Sequence, residues 1–485
     1  MSDRPPPQPT SEPGFSRRAL LAGAAALLPA GALAQAGKPA ASPAPPSPSP
    51  AEAPPAFPAA PGRVRFRPEP AAETEIWCFD GKTAPPLLRG RQGEPFRLKV
   101  ANRTAKPLSL HWHGIRNRNA MDGVGGVTQP PIAPGAEFTY EFVPPDSGTS
   151  LIRPLVVGGA SEPSGRGLAG LFVVAEKAPP ALDHDLGLLM QDWRLEEDGR
   201  LAPFGPMPFA AASGRLGNLV TLNGKPIPET IELRPGARVR LRLANGCNAR
   251  STRIRFDGLK VYVVAVDGQP TDTFEPLRAT LPFPPGTRYD LMFDMPAEMA
   301  GGGSITALIG NGFVLAKLVA KGEPVTEKRP PIAALPENTA LPAEIKLQNA
   351  FRRDIVLTGG ARIDKANPAA EPAFSGDPAR IWQVNGASGG PDSGPAFSVK
   401  RGQAVVLAIR NDTAFTQALH LHGHVFRLLH PLDDGWEPYW LDTFQLVEGK
   451  TARIAFIADN PGRWLLGATV LERFDTGLWT SFEVT

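Results

Sequence analysis

Residues 400–424 read KRGQAVVLAIRNDTAFTQALHLHGH, and this stretch decides the fold because the chain holds two further copies of its pattern. The copies are RQGEPFRLKVANRTAKPLSLHWHG at 91–114 and RPGARVRLRLANGCNARSTRIRFDG at 234–258. In each copy a turn glycine precedes an alternating apolar segment, and an asparagine follows the glycine by nine residues. Such a repeat predicts three related structural units.

The repeated unit has the pattern of β-strands. Apolar and polar residues alternate over short segments, turns rich in Gly and Pro are frequent, and helical periodicity is rare. The sequence therefore predicts an all-β fold of three consecutive Greek-key β-sandwich domains. Proline-rich stretches, EKAPPALDH at 176–184 and KGEPVTEKRPPIAALPENTALPAE at 321–344, separate them. The predicted domains are residues 63–177, 178–330 and 331–485.

The N-terminal residues have the pattern of an export signal. SRR at 16–18 precedes an apolar run at 19–33 and a small-x-small cleavage pattern, AQA at 34–36. We expect a twin-arginine-type signal peptide over residues 1–36 and a periplasmic location, although a lone Arg pair also occurs by coincidence. The run is too short to span a membrane, so we expect no transmembrane segment in the mature protein. Residues 37–62 are rich in Pro and Ala and predict a disordered linker.

Charge bears on the possible partners, and cysteine content bears on disulfide formation. The formal net charge is +3 from 51 basic and 48 acidic residues, which is too small to favour nucleic acid, and we expect no nucleic-acid partner. Cys78 and Cys247 lie in different predicted domains. We therefore expect two free, buried cysteines rather than a disulfide.

Four of the seven histidines form two pairs at matching positions of the repeat. His111 follows its repeat asparagine by nine residues and begins His-x-His with His113, and His420 begins the same motif with His422 at the same offset. Residues two apart on a strand project to one face, so each pair can chelate a metal ion. Imidazole suits copper and zinc. We interpret the remaining histidines as structural; they are His184, His424 and His430.

Longer motifs resemble those of the multicopper oxidases, the family of laccases and bacterial cuprous oxidases built of three cupredoxin domains. The matching stretches are LHWHG at 110–114, DGVGGVTQPPIAPGAEFTYEF at 122–142, GLAGLFVV at 167–174, DGQP at 267–270, PPGTRYDLMFDMP at 284–296, HLHGHVF at 420–426 and DNPGRW at 459–464. The resemblance implies cupredoxin-like domains and a copper site. By this resemblance His111 and His420 match the ligands of the type 2 copper, and His113 and His422 each match a type 3 ligand.

Several ligand positions implied by the resemblance hold other residues. Family members bind a mononuclear blue copper through one Cys, two His and a weak axial ligand, and a trinuclear cluster through eight His. Aligned on NPG at 460–462 and DTG at 475–477, the family's His-Cys-His run is replaced by Gly467, Ala468 and Thr469. The other replaced positions hold Gln417, Arg473 and Leu478 at the blue-copper site and Arg153 and Leu155 at the cluster.

Three functions fit this pattern. We favour a non-laccase binding or structural protein of the envelope with degenerate copper sites and a protein partner. The alternatives are a mononuclear copper-binding protein and a copper-dependent oxidoreductase, both using the four retained histidines. We expect at most one copper ion, or none, and no four-copper laccase-type activity, so whether the chain is an enzyme stays open.

Two further residues each have two interpretations. Arg153 opposes a nearby cation if its side chain points inward, because a guanidinium does not lose its proton, whereas a surface orientation would leave the site unaffected. Asp122 is the one candidate catalytic residue, since it matches an acidic residue that helps proton transfer in the family. It is equally well explained as a turn-forming residue before Gly123.

Overall fold

The fold is known from a computed structural model that describes residues 56–205, 209–296, 302–364, 366–367, 370, 372–429 and 435–485. The predicted signal at 1–36, residues 37–55 of the predicted linker and His430 lie outside the described residues. Within the described ranges, no helix combines the length and apolar character that crossing a membrane requires.

The first domain is a sandwich of two four-stranded sheets. Its strands are β1 (Ala56–Val64), β2 (Thr74–Phe79), β3 (Leu87–Arg91), β4 (Phe96–Asn102), β5 (Leu110–His113), β6 (Glu137–Phe142), β7 (Gly148–Pro154) and β8 (Gly170–Ala175). The sheet orders are β2-β1-β4-β6 and β3-β8-β7-β5. Trp112, Tyr140 and Phe172 belong to the apolar core of this domain.

The second domain contains a seven-stranded and a five-stranded sheet. Its strands are β9 (His184–Trp193), β10 (Leu219–Leu222), β11 (Lys225–Pro226), β12 (Glu229–Leu233), β13 (Arg238–Asn245), β14 (Thr252–Asp257), β15 (Tyr262–Val266), β16 (Gln269–Phe274), β17 (Thr280–Phe283), β18 (Arg288–Asp294), β19 (Gly302–Ala307) and β20 (Phe313–Ala320). The sheet orders are β11-β10-β9-β13-β18-β15-β16 and β12-β20-β19-β14-β17.

The third domain contains two five-stranded sheets. Its strands are β21 (Phe351–Gly359), β22 (Trp382–Val384), β23 (Phe397–Val399), β24 (Gln403–Asn411), β25 (Gln417–Leu421), β26 (Arg427–Leu428), β27 (Thr443–Leu446), β28 (Thr451–Ala458), β29 (Gly462–Ala468) and β30 (Trp479–Val484). The sheet orders are β22-β21-β24-β28-β26 and β23-β30-β29-β25-β27. The prediction of an all-β chain built of three cupredoxin-like sandwiches is confirmed.

Short helices connect the sheets. They are α1 (Ser161–Gly165), α2 (Leu471–Asp475) and two 3₁₀ turns, Asn119–Met121 and Leu277–Ala279. The Asp475 carboxylate of α2 accepts hydrogen bonds from the backbone N–H groups of Ala160 and Ser161 at 2.7 and 2.9 Å. This contact satisfies donors at the start of α1 that have no partner within the helix, and it joins the first and third domains.

The predicted disordered linker is wrong for residues 56–62, which belong to β1. This strand pairs antiparallel with β2 and parallel with β4. Proline lacks a backbone donor, but its carbonyl still accepts, and the Pro58 carbonyl accepts from Asp80 N–H at 2.8 Å. The Ala59 side chain is fully buried. Small residues and prolines concealed this strand because they give little apolar periodicity.

The repeat asparagines make the same hydrogen bonds in all three domains. Each amide Nδ2 donates to two backbone carbonyls, and each Oδ1 accepts from the N–H group two residues further on. The acceptors are Lys106 and Ile132 for Asn102, Arg250 and Phe283 for Asn245, and Phe415 and Leu446 for Asn411, at 2.8 to 3.0 Å. The sequence repeat is therefore a structural repeat.

Both cysteines are free and buried, as predicted. Cys78 belongs to β2 in the first domain, and Cys247 follows β13 in the second. Burial raises the pKa of both thiols, which makes thiolate chemistry unfavourable.

Replacing Asn411 with Ala should destabilise the third domain by about 3 kcal/mol, because buried carbonyls and an N–H group lose their partner. Urea unfolding followed by tryptophan fluorescence measures this change. The exposed Asn349 provides the matched control, and Asn349→Ala should change stability by less than about 0.5 kcal/mol. Equal unfolding midpoints for the two variants would contradict the structural role of Asn411.

Candidate metal centre

The two histidine pairs meet in one buried centre. His111 and His113 lie on β5, His420 lies on β25, and His422 directly follows that strand. Their exposed fractions are between 1 and 3%. The rings of His113 and His420 stack with centroids 3.7 Å apart, and those of His111 and His422 stack at 4.2 Å. Each stack therefore contains one ring from the first domain and one ring from the third.

The alternation of side chains along the strands and two glycines allow the four histidine rings to lie close together. Trp112 and Leu421 lie between the paired histidines and point into the apolar cores, where both are fully buried. Gly286 has φ +90°, and a Cβ atom there would lie 2.8 Å from His113 Cε1. At Gly123, with φ +85°, a Cβ atom would overlap the Leu110 carbonyl. Both positions therefore require glycine.

Asp122 contacts one histidine of the first domain and one of the third. Its backbone carbonyl accepts a hydrogen bond from His111 Nδ1–H at 2.8 Å, and its carboxylate Oδ2 accepts from His422 Nδ1–H at 3.0 Å. The second carboxylate oxygen, Oδ1, is buried, lies 3.4 Å from His111 Nδ1 and has no hydrogen-bond partner among the described residues. Asp122 thus positions both rings of one stack.

Asp442 has the reciprocal arrangement. Its backbone carbonyl accepts from His420 Nδ1–H at 2.9 Å, and its Oδ1 lies 3.6 Å from His113 Nε2. The Thr443 hydroxyl lies between them: it donates to Asp442 Oδ1 at 2.7 Å and accepts from His113 Nε2–H at 2.9 Å. In both cases the backbone carbonyl holds a histidine of its own domain, and the carboxylate faces a histidine of the other domain.

These contacts fix the tautomers in a form that suits a metal ion. Because Nδ1 carries the proton in His111, His420 and His422, the Nε2 atom of each neutral ring has a free lone pair. The Nε2 atoms of His111 and His420 are buried and have no hydrogen-bond partner among the described residues. Donor atoms of His111, His113 and His420 lie within 4.8 Å of one another, as do those of His111, Asp122 and His422. The donor set therefore fits a copper ion.

The environment keeps His113, His420 and His422 neutral and the carboxylates ionised. Burial lowers the pKa of His422 to about 3, and it also lowers the pKa of His113 and of His420. Burial opposes ionisation of Asp122 and Asp442. The facing imidazoles outweigh it at Asp122, whereas Arg288 outweighs it at Asp442 with a smaller contribution from the imidazoles, and both carboxyl pKa values lie below their usual range. A cation is favoured at such a centre, because protons compete weakly for the imidazole lone pairs.

A guanidinium lies behind Asp442. Arg288 donates to Asp442 Oδ1 and Oδ2 at 2.9 and 2.5 Å, and its Nη1 lies 3.5 Å from Asp267 Oδ1. Asp267 also accepts from the Thr443 N–H group at 3.1 Å. Burial and the nearby Asp442 raise the pKa of the Asp267 carboxyl. Arg288 and Asp267, which both belong to the second domain, therefore connect that domain to the histidine centre.

Comparison with known proteins identifies the family. Multicopper oxidase models match residues 62–179, 205–301 and 362–485. A multicopper oxidase structure from Pseudomonas thermotolerans is 31% identical, with a TM-score of 0.76 over 89% of this chain and 98% of that one. One from Pseudomonas parafulva is 32% identical, with a TM-score of 0.74 over 88% and 99%. The chain belongs to the multicopper oxidase family. The multicopper oxidase MmcO of Mycobacterium tuberculosis is 27% identical over 420 residues, covering 80% of this chain and 79% of that protein.

The residues at the blue-copper positions of the multicopper oxidases lie together here. Arg473 Nη1 donates to Gln417 Oε1 at 2.6 Å, and Ala468 N–H donates to the Leu478 carbonyl at 2.9 Å. All four are buried. The contact between Gln417 and Arg473 supports the alignment that placed both at one ligand site.

The Arg473 guanidinium is fully enclosed by protein groups. It donates to the carbonyls of Ala212 and Thr416 and lies over the rings of Trp382 and Phe415 at 5.1 and 5.4 Å. Burial lowers the pKa of Arg473 to about 10, so the group stays charged at neutral pH. A fixed positive charge therefore lies beside Gln417 and the backbone carbonyls of Ala212 and Thr416.

Arg153 and Gly467 lie opposite the histidines in the two sheets. Arg153 pairs with His111 across β5 and β7, and Gly467 pairs with His420 across β25 and β29. The surface orientation of Arg153 is wrong, because its side chain is only 2% exposed. Its Nε and Nη2 atoms have no hydrogen-bond partner among the described residues, and burial lowers the pKa of Arg153 to about 10 with the Glu472 carboxylate partly offsetting the effect.

Sequence reasoning missed the residues around Asp442. Asp267 and Arg288 lie in the stretches DGQP and PPGTRYDLMFDMP, which matched the family but suggested no role in the centre. Asp442 gave no signal, because it follows His420 by 22 residues whereas Asp122 follows His111 by 11. The reciprocal roles of the two aspartates therefore have no counterpart in sequence spacing.

The metal-free protein should lose stability as the pH falls below about 6.5. Unfolded histidines bind protons there, while His113, His420 and His422 stay neutral in the folded state because their pKa values are lowered. Each such histidine should contribute a loss of about 1 kcal/mol between pH 6.5 and 5.5. Urea midpoints measured in the presence of a chelator test this dependence.

The matched variants are His422→Gln and His184→Gln, since His184 lies outside the centre. We expect His422→Gln to show a shallower pH dependence than the unsubstituted protein, and His184→Gln to leave it unchanged. The same slope for all three proteins would show that the buried histidines do not resist protonation.

Proposed function

We propose that this multicopper oxidase homologue is a non-laccase binding protein that holds a single copper ion at His111, His113, His420 and His422. The observation that carries the proposal is the pair of buried Nε2 lone pairs on His111 and His420 without protein partners. Bound copper would supply a redox-active Lewis-acidic cation, and the affinity order of divalent metals favours it. Asp122 and Asp442 orient the imidazoles, and Asp122 also contributes negative charge to the centre.

We further propose that the chain does not perform four-copper oxidation. The blue-copper positions carry Gln417, Ala468, Arg473 and Leu478, whose side chains provide no thiolate and no imidazole. The segment at 210–212 lies over this region, since Trp382 Nε1–H donates to the Ala210 carbonyl and Arg473 donates to that of Ala212. Without a second centre to deliver electrons, a single copper cannot complete the four-electron reduction of dioxygen.

A second candidate function is a metal-free binding or structural role in the envelope, through a protein partner. The observation in its favour is that Arg473 and Gln417 satisfy each other at the blue-copper position, so the fold there needs no metal. The framework asparagines also keep all their hydrogen bonds. Metal analysis separates this role from copper binding.

The protein produced in copper-supplemented cells should contain about one copper per chain. Electron paramagnetic resonance should show a nitrogen-coordinated signal without the intense blue absorption of a thiolate site. The double variant His111→Gln, His420→Gln should lose the copper, and His184→Gln should retain it. Copper at the same level in the double variant, or no copper in the unsubstituted protein, would refute the proposed site and favour the metal-free role.

We also propose export to the periplasm by the twin-arginine route, on the pattern SRR at 16–18, the apolar run and the cleavage pattern. Replacing Arg17 and Arg18 with Lys should leave the full-length precursor in the cytoplasm of a bacterial host. Cell fractionation with immunoblotting measures this distribution. Arg4→Lys is the matched control and should be exported normally; export of the double variant would contradict the proposed route.

A further inference from the structure

The two aspartates of the centre differ in how their charge is balanced. Asp442 shares both carboxylate oxygens with Arg288 at 2.9 and 2.5 Å. A guanidinium in this bidentate geometry offsets most of the field that the carboxylate would exert on a nearby ion. Asp442 therefore orients imidazoles without adding a full negative charge to the centre.

Asp122 has no such cation. Among the described residues its carboxylate lies beside the imidazoles of His111 and His422 and forms no ion pair with a lysine or arginine. Its side chain is 1% exposed, so water screens its charge poorly. The field of this carboxylate acts mainly on the space between the histidines.

One oxygen of Asp122 is left without a hydrogen-bond partner among the described residues. Oδ2 accepts from His422 Nδ1–H, but Oδ1 is buried without a hydrogen-bond partner. Ligand atoms of Asp122, His111 and His422 lie within 4.8 Å of one another. A buried, ionised oxygen without a partner is costly, and a cation near it removes that cost.

We infer that Asp122 makes the four-histidine centre select a divalent over a monovalent metal ion, so that it binds Cu(II) in preference to Cu(I). The inference rests on the proposed copper site and specifies the charge of its ligand. Neutral imidazoles hardly distinguish the two ions by charge, whereas the attraction to a carboxylate doubles when the charge of the ion doubles. The carboxylate faces the Nδ1 side of the rings and the ion would lie on the Nε2 side, so the separation is about 7 Å; at an effective dielectric constant of about 20 the difference is on the order of fiftyfold in affinity.

The test compares the affinities of the purified protein for Cu(II) and for Cu(I), each measured against a competing chelator of known affinity, with Cu(I) under anaerobic conditions. Asp122→Asn keeps an oxygen that can accept from His422 and removes the charge. We expect it to lower the ratio of Cu(II) to Cu(I) affinity at least tenfold. The reduction potential of the bound copper should rise correspondingly by at least about 59 mV, since a tenfold change for one electron equals that value.

The matched control is Thr443→Val, which removes hydrogen bonds to His113 and to Asp442 but no charge. It should weaken both ions about equally and leave the ratio unchanged. Asp122→Ser is a second neutral variant for the case in which the Asn variant does not fold, and it should shift the ratio in the same direction.

The outcomes separate this inference from the proposed function. If both ions bind and the ratio is unchanged in the neutral Asp122 variants, then Asp122 acts only by orienting the rings and the inference is wrong, while the copper site stands. If neither ion binds to the unsubstituted protein, the copper site and the inference fail together. A ratio that falls equally in Thr443→Val would also overturn the role of charge.

Discussion

The reciprocal hydrogen bonding of Asp122 and Asp442 is the constraint on which the centre depends. Each backbone carbonyl holds a histidine of its own domain, and each carboxylate faces a histidine of the other. Both sets can form only when the first and third domains dock in one relative position. The same contacts use the Nδ1 protons, and therefore leave Nε2 lone pairs of His111 and His420 buried at the centre.

Charge distinguishes the surroundings of Arg473 from the histidine centre. Arg473, which the resemblance places at a blue-copper position, donates hydrogen bonds to backbone carbonyls and to Gln417. Its guanidinium does not lose its proton. That position is thereby closed to a metal ion. The histidine centre instead combines neutral imidazoles with the ionised Asp122 and Asp442, which is the arrangement that a cation requires. Arg473 thus disfavours a cation in its surroundings. At the histidine centre the two carboxylates favour a cation, whereas the buried Arg153, which pairs with His111 across β5 and β7, opposes one.

The sequence predicted what depends on local periodicity and repetition. The glycine-to-asparagine spacing identified the repeated β unit, and the His-x-His pattern placed both rings of each pair on one strand face. It could not show that residues 56–62 form a strand, because Pro and Ala give no alternating signal there. It also could not find Asp442, whose role arises from domain docking, or decide the direction of Arg153, since burial of a single arginine depends on tertiary packing.

The energetics of unpartnered groups bear on the two candidate functions. A buried polar atom without a partner costs about 1 to 3 kcal/mol, and His111 Nε2, His420 Nε2 and Asp122 Oδ1 each carry this cost in the metal-free protein. A bound ion offsets it, since a ligand at a thousand times its dissociation constant stabilises the folded state by about 4 kcal/mol. The Arg473 guanidinium already donates to protein acceptors, so a ligand would not stabilise that region further. A metal-free scaffold accounts for the contacts of Arg473. In such a scaffold the free-energy cost of the unpartnered histidine atoms has no compensation. The unpartnered atoms at the histidines therefore support the proposed copper site, and the matched contacts of Arg473 support the proposed structural role.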